Sequence, residues 1–295
     1  MSSAHSVKRS FGTHDGSFHA DEVTACALLL LFNQIDRDKI VRTRDSARLE
    51  KCDFVCDVGG ILNPSKHLFD HHQADYKDNM SSAGLVLAYL RDQGIVENDL
   101  YRFLTLALIK GVDDHDNGQD PQIPGLCTYS HIITNYNPIP NDAPPEEQDK
   151  NFFEALDIAL GVLQRLYKRY NYICECKNIV SATMKQEKEY LLFEKSIPWL
   201  EAFFEMGGQE HRAKFVIMPS GNHWKLRGIP PTFLRKMEVR QPLPYEWAGL
   251  LEDELKSISG IPGAIFCHKG RFISVWETKE DAMTALEYTL KNAKE

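Results

Sequence analysis

Apolar and polar positions along the first third of the chain fall into two alternating rhythms. SVKRSFG (residues 6–12) reads as a strand, and DEVTACALLLLFNQI (21–35) carries apolar residues at helical spacing. Asp21 and Glu22 at its start suit a helix N-terminus, where the backbone dipole favours negative charge. CDFVCDVGG (52–60) predicts a strand ending at Asp57 and two glycines, and KHLFDHH (66–72) one ending at Asp70. SSAGLVLAYLRDQG (81–94) and NDLYRFLTLALIKG (98–111) predict amphipathic helices closed by Gly94 and Gly111. This alternation implies an α/β fold, a mostly parallel sheet with helices on both faces. In such sheets ligands bind beyond the carboxyl ends of the strands.

The rhythm changes further on. Residues 138–150 are polar and proline-rich and predict a surface loop, and 151–193 predict a long connecting helix. KFVIMPS, HWKLRGI, GAIFCHKG and RFISVWET then predict short strands before a last amphipathic helix, KEDAMTALEYTLKNA (279–293). The expected organisation is a domain over 1–190, including the connecting helix, and a smaller α/β module over 191–295.

Composition sharpens this picture by exclusion. The 295 residues, 43% hydrophobic and 26% charged, are those of an ordinary globular protein. Seven cysteines without a repeated CxxC pair form neither a disulfide framework nor a zinc-finger spacing, which points to a reducing compartment. MSSAHSVKRSFGTHDG lacks the apolar core of a signal peptide, and no run approaches the roughly 18 apolar residues of a membrane span. A soluble protein of the cytoplasm or nucleus is expected; a mitochondrial address and a homo-oligomer are both compatible with the sequence. The net charge of −8 argues against a protein coating nucleic acid over its whole surface. Between His211 and Arg240, however, Arg212, Lys214, Lys225, Arg227, Arg235, Lys236 and Arg240 face one acid, Glu238. That local excess of 7 − 1 = +6 suits a polyanionic substrate.

The candidate chemistry sits in four separated segments: His14, His19 and Asp21; Asp57; Asp70, His71 and His72; and Asp113, Asp114, His115 and Asp116. Each follows an element, so one cluster at one sheet edge is geometrically reasonable. Carboxylates converging there would repel one another unless cations neutralised them. Carboxylate and imidazole without thiolate favour Mn²⁺, then Mg²⁺, over structural zinc. The number of ligands favours two ions, a pair that clamps a phosphoryl oxygen and activates water.

FDHHQ, with an Asp-ended strand before it and GVDDHDNG after it, resembles the DHH phosphoesterase superfamily. THDGSFHADE, CDVGG, FDHHQ, VDDHDNG and SGIPGAIFCHKGRFI together resemble more closely the melanocyte proliferating gene family of metal-dependent exonucleases. That resemblance implies that His14, His19, Asp21, Asp57, His71 and Asp113 hold metal, with Asp57 bridging two ions. It further implies that His72 faces the scissile phosphate with Asp57 and Asp70 beside it in the catalytic set, while Asp70, Asp116 and Asn117 orient neighbours. Lys225, Arg227 and Arg240, with His268, Lys269 and Arg271, are the candidate substrate cations. Two departures stand out. The first motif is H-x4-H-x-D where the superfamily has H-x3-D-x-D, and Ser274-Val275 replace the Gly-Gly that the family usually carries after Phe-Ile. Trp276 could stack on a base, but a large aromatic after a strand fits a core better.

The expected function is a two-metal phosphodiesterase acting as an exonuclease on single-stranded nucleic acid, RNA ahead of DNA. The alternative substrates are short oligonucleotides, cyclic dinucleotides or pyrophosphate. A non-catalytic metal-dependent interaction module would predict a lost ligand, and the motif lacks none. Cys267 beside His268 does not make a nucleophile–base pair, because adjacent strand residues point to opposite faces.

Overall fold

The computed structural model describes residues 7–121, 123–140, 142–236 and 238–292. Ser6, Asn141 and Ala293, which fall in predicted segments, lie outside the described residues. The chain divides into two compact units, 1–170 and 171–295.

The first unit is built on a five-stranded sheet of β1 (Val7–Thr13), β2 (Ile40–Arg42), β3 (Cys52–Cys56), β4 (Leu62–Asn63) and β5 (Leu68–Phe69), in the order β2-β1-β3-β5-β4. The first four in that order run parallel, and β4 returns antiparallel along the edge. Gly12 in β1 is a close approach: a Cβ there would meet Cys52 Sγ and Leu49 Cδ2, both at 2.9 Å. Its helices are α1 (Ala20–Leu31), the short α2 (Ser46–Leu49), α3 (Ser82–Asp92), α4 (Asn98–Leu104), α5 (Lys110–Asp116) and α6 (Tyr129–Thr134). α1 is buried from Ala20 to Leu29, as expected of a helix enclosed by its neighbours, and packs with α3, α5 and α6. Parallel pairing aligns the ends of β1, β3 and β5, so that His14, Asp57 and Asp70, the next residues in each case, emerge at one edge.

The observed elements depart from expectation in three places. Gly111 does not close its helix: α4 continues through a π-helical turn, Thr105–Ile109, into α5, and glycine in the interior is merely tolerated. The segment Asp113–Asp116 therefore stands on a helix and not in a loop. The predicted loop is shorter, because Pro145 opens the 40-residue helix α7 (Pro145–Met184), a position where the missing proline N–H is no loss. At the far end of the predicted helix, Tyr190–Leu192 is instead a strand, β6. The two-unit division falls inside α7, whereas the sequence reading set it at 190/191 after the helix.

The second unit carries β6, β7 (Phe215–Ser220), β8 (His223–Gly228), β9 (Ala264–Cys267) and β10 (Ile273–Trp276) in the order β6-β7-β8-β10-β9, with α8 (Leu200–Glu205), α9 (Glu252–Ser259) and α10 (Lys279–Lys291). Only β6 and β7 pair parallel. Alternation along β7 feeds two cores: Val216 and Met218 join Phe203 and Trp199, while Phe215 and Ile217 join Leu226, Trp247 and Trp276. Trp276 is fully buried, as the core reading required, and its indole N–H donates to Ser274 Oγ at 2.9 Å.

Candidate metal centre

His19 is the N-cap of α1, and the Glu22 carboxylate accepts its backbone N–H at 2.9 and 3.0 Å. This capping geometry turns Glu22 into the interior, where it is fully buried. His14, just past β1, donates from Nδ1 to the Asp15 carbonyl at 2.9 Å. Its Nε2 lies 3.2 Å from both Glu22 Oε1 and Asp57 Oδ2. Burial alone would lower the pKa of this imidazole, but the two carboxylates push it up to about 10. Between these carboxylates the protonated imidazolium is the favoured form, because it supplies positive charge against two buried acids.

Asp57 follows β3 with φ +56°, a left-handed conformation that aspartate tolerates better than most residues. Its Oδ1 has no hydrogen-bond partner, though it lies 3.4 Å from His72 Nδ1 and 3.9 Å from His71 Nδ1. Asp21 is entirely buried, and among the described residues neither of its carboxylate oxygens has a hydrogen-bond partner. Burial, with Glu22, Asp57 and Asp116 nearby, raises its pKa well above the ordinary carboxylate value. His71 pairs through Nε2 with Asp116 Oδ2 at 2.8 Å, which leaves its buried Nδ1 without a partner. Asp70 is held by the backbone N–H of Gly60 at 2.6 Å and of His72 at 3.0 Å, and it fixes His72 Nδ1 at 2.8 Å.

These side chains form overlapping groups with ligand atoms within 4.8 Å of one another: His14, His19, Glu22 and Asp57; Asp57, Asp70, His71 and His72; and His19, Asp21 and Asp116. Asp57 and His19 each belong to two of them. Leaving four buried atoms of this kind unpaired would cost several kcal/mol in a dry interior, by roughly 1–3 kcal/mol each. Divalent cations held by these carboxylates and imidazoles would supply the missing partners, and the donor set fits them. Beside it opens a cleft of about 590 Å³, whose lining includes His14, His19, Asp57, His72 and the cation Arg44.

The family model MYG1_exonuc, described as Uncharacterised protein family (UPF0160), matches residues 10–290. This chain belongs to the MYG1 family. It is 49% identical over 285 residues to the MYG1 protein of Chlamydia muridarum, taking in 97% of this chain and 98% of that one. It is 31% identical over 321 residues to the MYG1 exonuclease of Homo sapiens, 95% of this chain and 85% of that one. Among solved structures, RecJ in complex with Mn²⁺ from Thermus thermophilus aligns with 97% of this chain at 14% identity and a TM-score of 0.30, and the chain spans 52% of its length. An exonuclease RecJ bound to manganese aligns at 13% identity and a TM-score of 0.30, over 96% of this chain and 91% of that one.

The structure of this MYG1 member brings together His14, His19, Asp21, Asp57, Asp70, His71 and His72 of the residues singled out in the sequence. It adds Glu22, which the sequence reading left as a helix-start acid, and Asp116, which it placed in a supporting role. Asp113 stands apart from these groups. Its Oδ1 accepts from Ser81 N at 3.0 Å, Ser81 Oγ at 2.6 Å and Gly84 N at 3.2 Å, so it holds the start of α3. Burial raises its pKa to about 6 against those donors. A Cβ on Gly84 would meet Asp113 Oδ2 at 2.5 Å, which explains glycine there. Asn117 donates to the carbonyls of Asn79 and Asp113 and closes the end of α5.

Candidate substrate cations of the second unit divide by what already engages them. Arg240 uses every donor on backbone carbonyls: Nε on Pro230, Nη1 on His211 and Ala213, Nη2 on Gly208 and Gln209. No donor is left for a phosphate. Lys225 and Arg227 share one face of β8, opposite Val275 and Ile273, and burial and then Arg227 lower the Lys225 pKa. His268, Lys269 and Arg271 form the β9–β10 turn, where Arg271 N donates to His268 O at 2.8 Å and the Arg271 guanidinium lies over Tyr245. Ser274, at the first of the two replaced glycines, is the acceptor that satisfies buried Trp276.

Proposed function

We propose that this chain is a two-metal phosphodiesterase that removes nucleotides from an end of single-stranded nucleic acid, RNA ahead of DNA, with Mn²⁺ ahead of Mg²⁺ as its ion. As a member of the MYG1 family it is a metal-dependent exonuclease, a hydrolase. The observation that carries the finer reading is the set of buried, unpaired ligand atoms, Asp21 Oδ1 and Oδ2, Asp57 Oδ1 and His71 Nδ1. Asp57 and His19 each belong to two ligand groups, and Asp57, the carboxylate of the two, is the bridging residue of the proposal. His14, His19, Asp21, Glu22, His71 and Asp116 would hold the metal with it. Asp113 supports the shell through α3 and α5.

Two divalent ions in such a centre supply an ionised water near neutral pH and neutralise charge on the phosphoryl oxygens. The chain's own residues do the rest. Asp70 fixes Nδ1 of His72, a side chain 63% exposed, so Nε2 is the nitrogen available to a substrate oxygen. Arg44, at the cleft and paired with Asp15 at 3.3 Å, offers a positive charge to a phosphate there. Lys225, Arg227 and Lys269 are the cations of the second unit proposed to hold the strand. The second reading, a small phosphorylated substrate, is favoured by the cleft volume of about 590 Å³, which lies within the range of small-ligand sites.

Metal-stripped protein resupplied with Mn²⁺ and given end-labelled single-stranded RNA, the matching DNA and a dinucleotide separates these readings. A ladder of shortened RNA that disappears in Asp57→Ala supports the exonuclease. Cleavage of the dinucleotide alone moves the function to small-substrate turnover.

A further inference from the structure

The loop that joins β1 to α1 begins at His14 and ends at His19, so two side chains of the metal centre depend on its shape. Its middle is held by residues distant in sequence. Asn137 Oδ1 accepts the Phe18 backbone N–H at 2.9 Å, and Asn137 Nδ2 donates to the Phe18 carbonyl at 2.8 Å. Arg42, the last residue of β2 and the register partner of Thr13, donates from Nη2 to the Gly16 carbonyl. The chain turns at Gly16 with φ +85°, a conformation that favours glycine, and Arg42 grips it at that turn. The Arg42 guanidinium is in turn fixed on every side. Its side chain is 1% exposed, Nη1 donates to Asp149 Oδ1 at 3.0 Å, and Cζ lies 4.8 Å from the Phe152 ring centroid and 5.6 Å from that of Phe18. Phe18 belongs to the loop, whereas Asp149 and Phe152 stand near the start of α7.

From this geometry we infer that Arg42 is a positioning residue for the metal centre, fixing the loop from α7 so that His14 and His19 are held where they ligate. The inference rests on the proposed reading of those two histidines as metal ligands. A buried ion pair is a weak stability device, because desolvation offsets the attraction. Here Asp149 is half-exposed, and Arg42 Nε has no hydrogen-bond partner among the described residues. What the pair supplies is a location for the guanidinium, and through it for Gly16. The planar fork spans the Gly16 carbonyl and the Asp149 carboxylate at once, which the point donor of a lysine does not. Partners that orient ligands from behind are typically worth roughly 10–100-fold in metal affinity.

The test reads metal binding and takes no reading of activity. Metal-stripped wild type, Arg42→Lys, Asp149→Ala and Asp57→Ala are titrated with Mn²⁺ in about 0.5 M NaCl, which screens exposed charge. Electron paramagnetic resonance of the free ion gives the affinity, and circular dichroism and Tm report folding. Arg42→Lys keeps the buried charge and loses the fork, so it separates position from charge. Asp149 is half-exposed, so its replacement leaves the fold intact. Expected is a folded Arg42→Lys whose half-saturating Mn²⁺ rises roughly 10–100-fold, with a smaller rise in Asp149→Ala. A lowered Tm with wild-type Mn²⁺ affinity in Arg42→Lys marks a residue of the fold alone and overturns the assignment. Where Arg42→Lys does not fold, wild-type affinity in Asp149→Ala overturns it as well. Asp57→Ala tells the two levels apart: if it too binds Mn²⁺ as wild type does, the metal reading of the centre falls and this inference with it.

Discussion

Asp21 in the first unit and Arg240 in the second are both charged residues drawn into their folds, and their surroundings are opposites. Asp21 is fully buried with neither oxygen hydrogen-bonded, whereas Arg240 has all five N–H groups on backbone carbonyls. A charge that finds complete satisfaction within the chain is doing architectural duty. A buried carboxyl left without partners is held in its neutral form by that burial and by the acids around it, and it gains most from a cation that binds there. Asp113, with three donors on one oxygen, falls on the architectural side although it sits in the metal-binding unit.

The contrast can be broken most forcefully at the centre itself. Asp57→Ala should lower exonuclease activity on the order of 10³-fold or more and reduce bound metal while the protein stays folded. Activity within tenfold of wild type would remove Asp57 from the bridge. Arg240→Met should cost roughly 2–4 kcal/mol of stability in urea unfolding, because five carbonyls lose a charged donor, yet leave metal content unchanged. Normal stability with weakened RNA binding would reverse the assignment and return Arg240 to the substrate.

Smaller effects sharpen the same distinction. His14 is held above its usual pKa, at about 10, by Asp57 and Glu22, so at neutral pH an ion must displace its proton. Metal affinity should therefore rise by up to about tenfold per pH unit from pH 6 toward 9, with protons released on binding. Calorimetry in buffers of different ionisation enthalpy reads this directly, and a pH-independent affinity would exclude His14 as a ligand. Asp113→Asn keeps an acceptor for Ser81 and Gly84. Bound metal should stay at the wild-type level, with activity reduced by at most about 10–100-fold. Metal loss in that variant would make Asp113 a ligand after all.

Much of this was legible in the sequence, for identifiable reasons. Strand-then-helix periodicity over residues 6–94 placed His14, Asp57 and Asp70 after strands, and parallel pairing then put them at one edge. Glu22 escaped notice because an acid in the first turn of a helix already has an adequate explanation in the dipole. Its spacing of three from His19, a capping-box interval, was the available signal. Asp116 is hard to read from sequence because Gly111 before it and Asn117-Gly118 after it both imitate loop signals. Once α5 runs through Gly111, Asp113 and Asp116 are i and i+3 on one face, one turned to α3 and the other to His71. The satisfaction of Arg240 had no sequence signature, since its partners are main-chain carbonyls up to 32 residues away.

The left-handed backbone of Asp57 sets a double filter on what the genetic code can place there. The torsion angle admits glycine, asparagine and aspartate with little strain and penalises glutamate by about 1–3 kcal/mol. The proposed bridge between two cations needs a formal negative charge, which glycine and asparagine lack. A saturation library at this codon should therefore rank aspartate first, with Glu disfavoured by conformation and Asn lacking the charge.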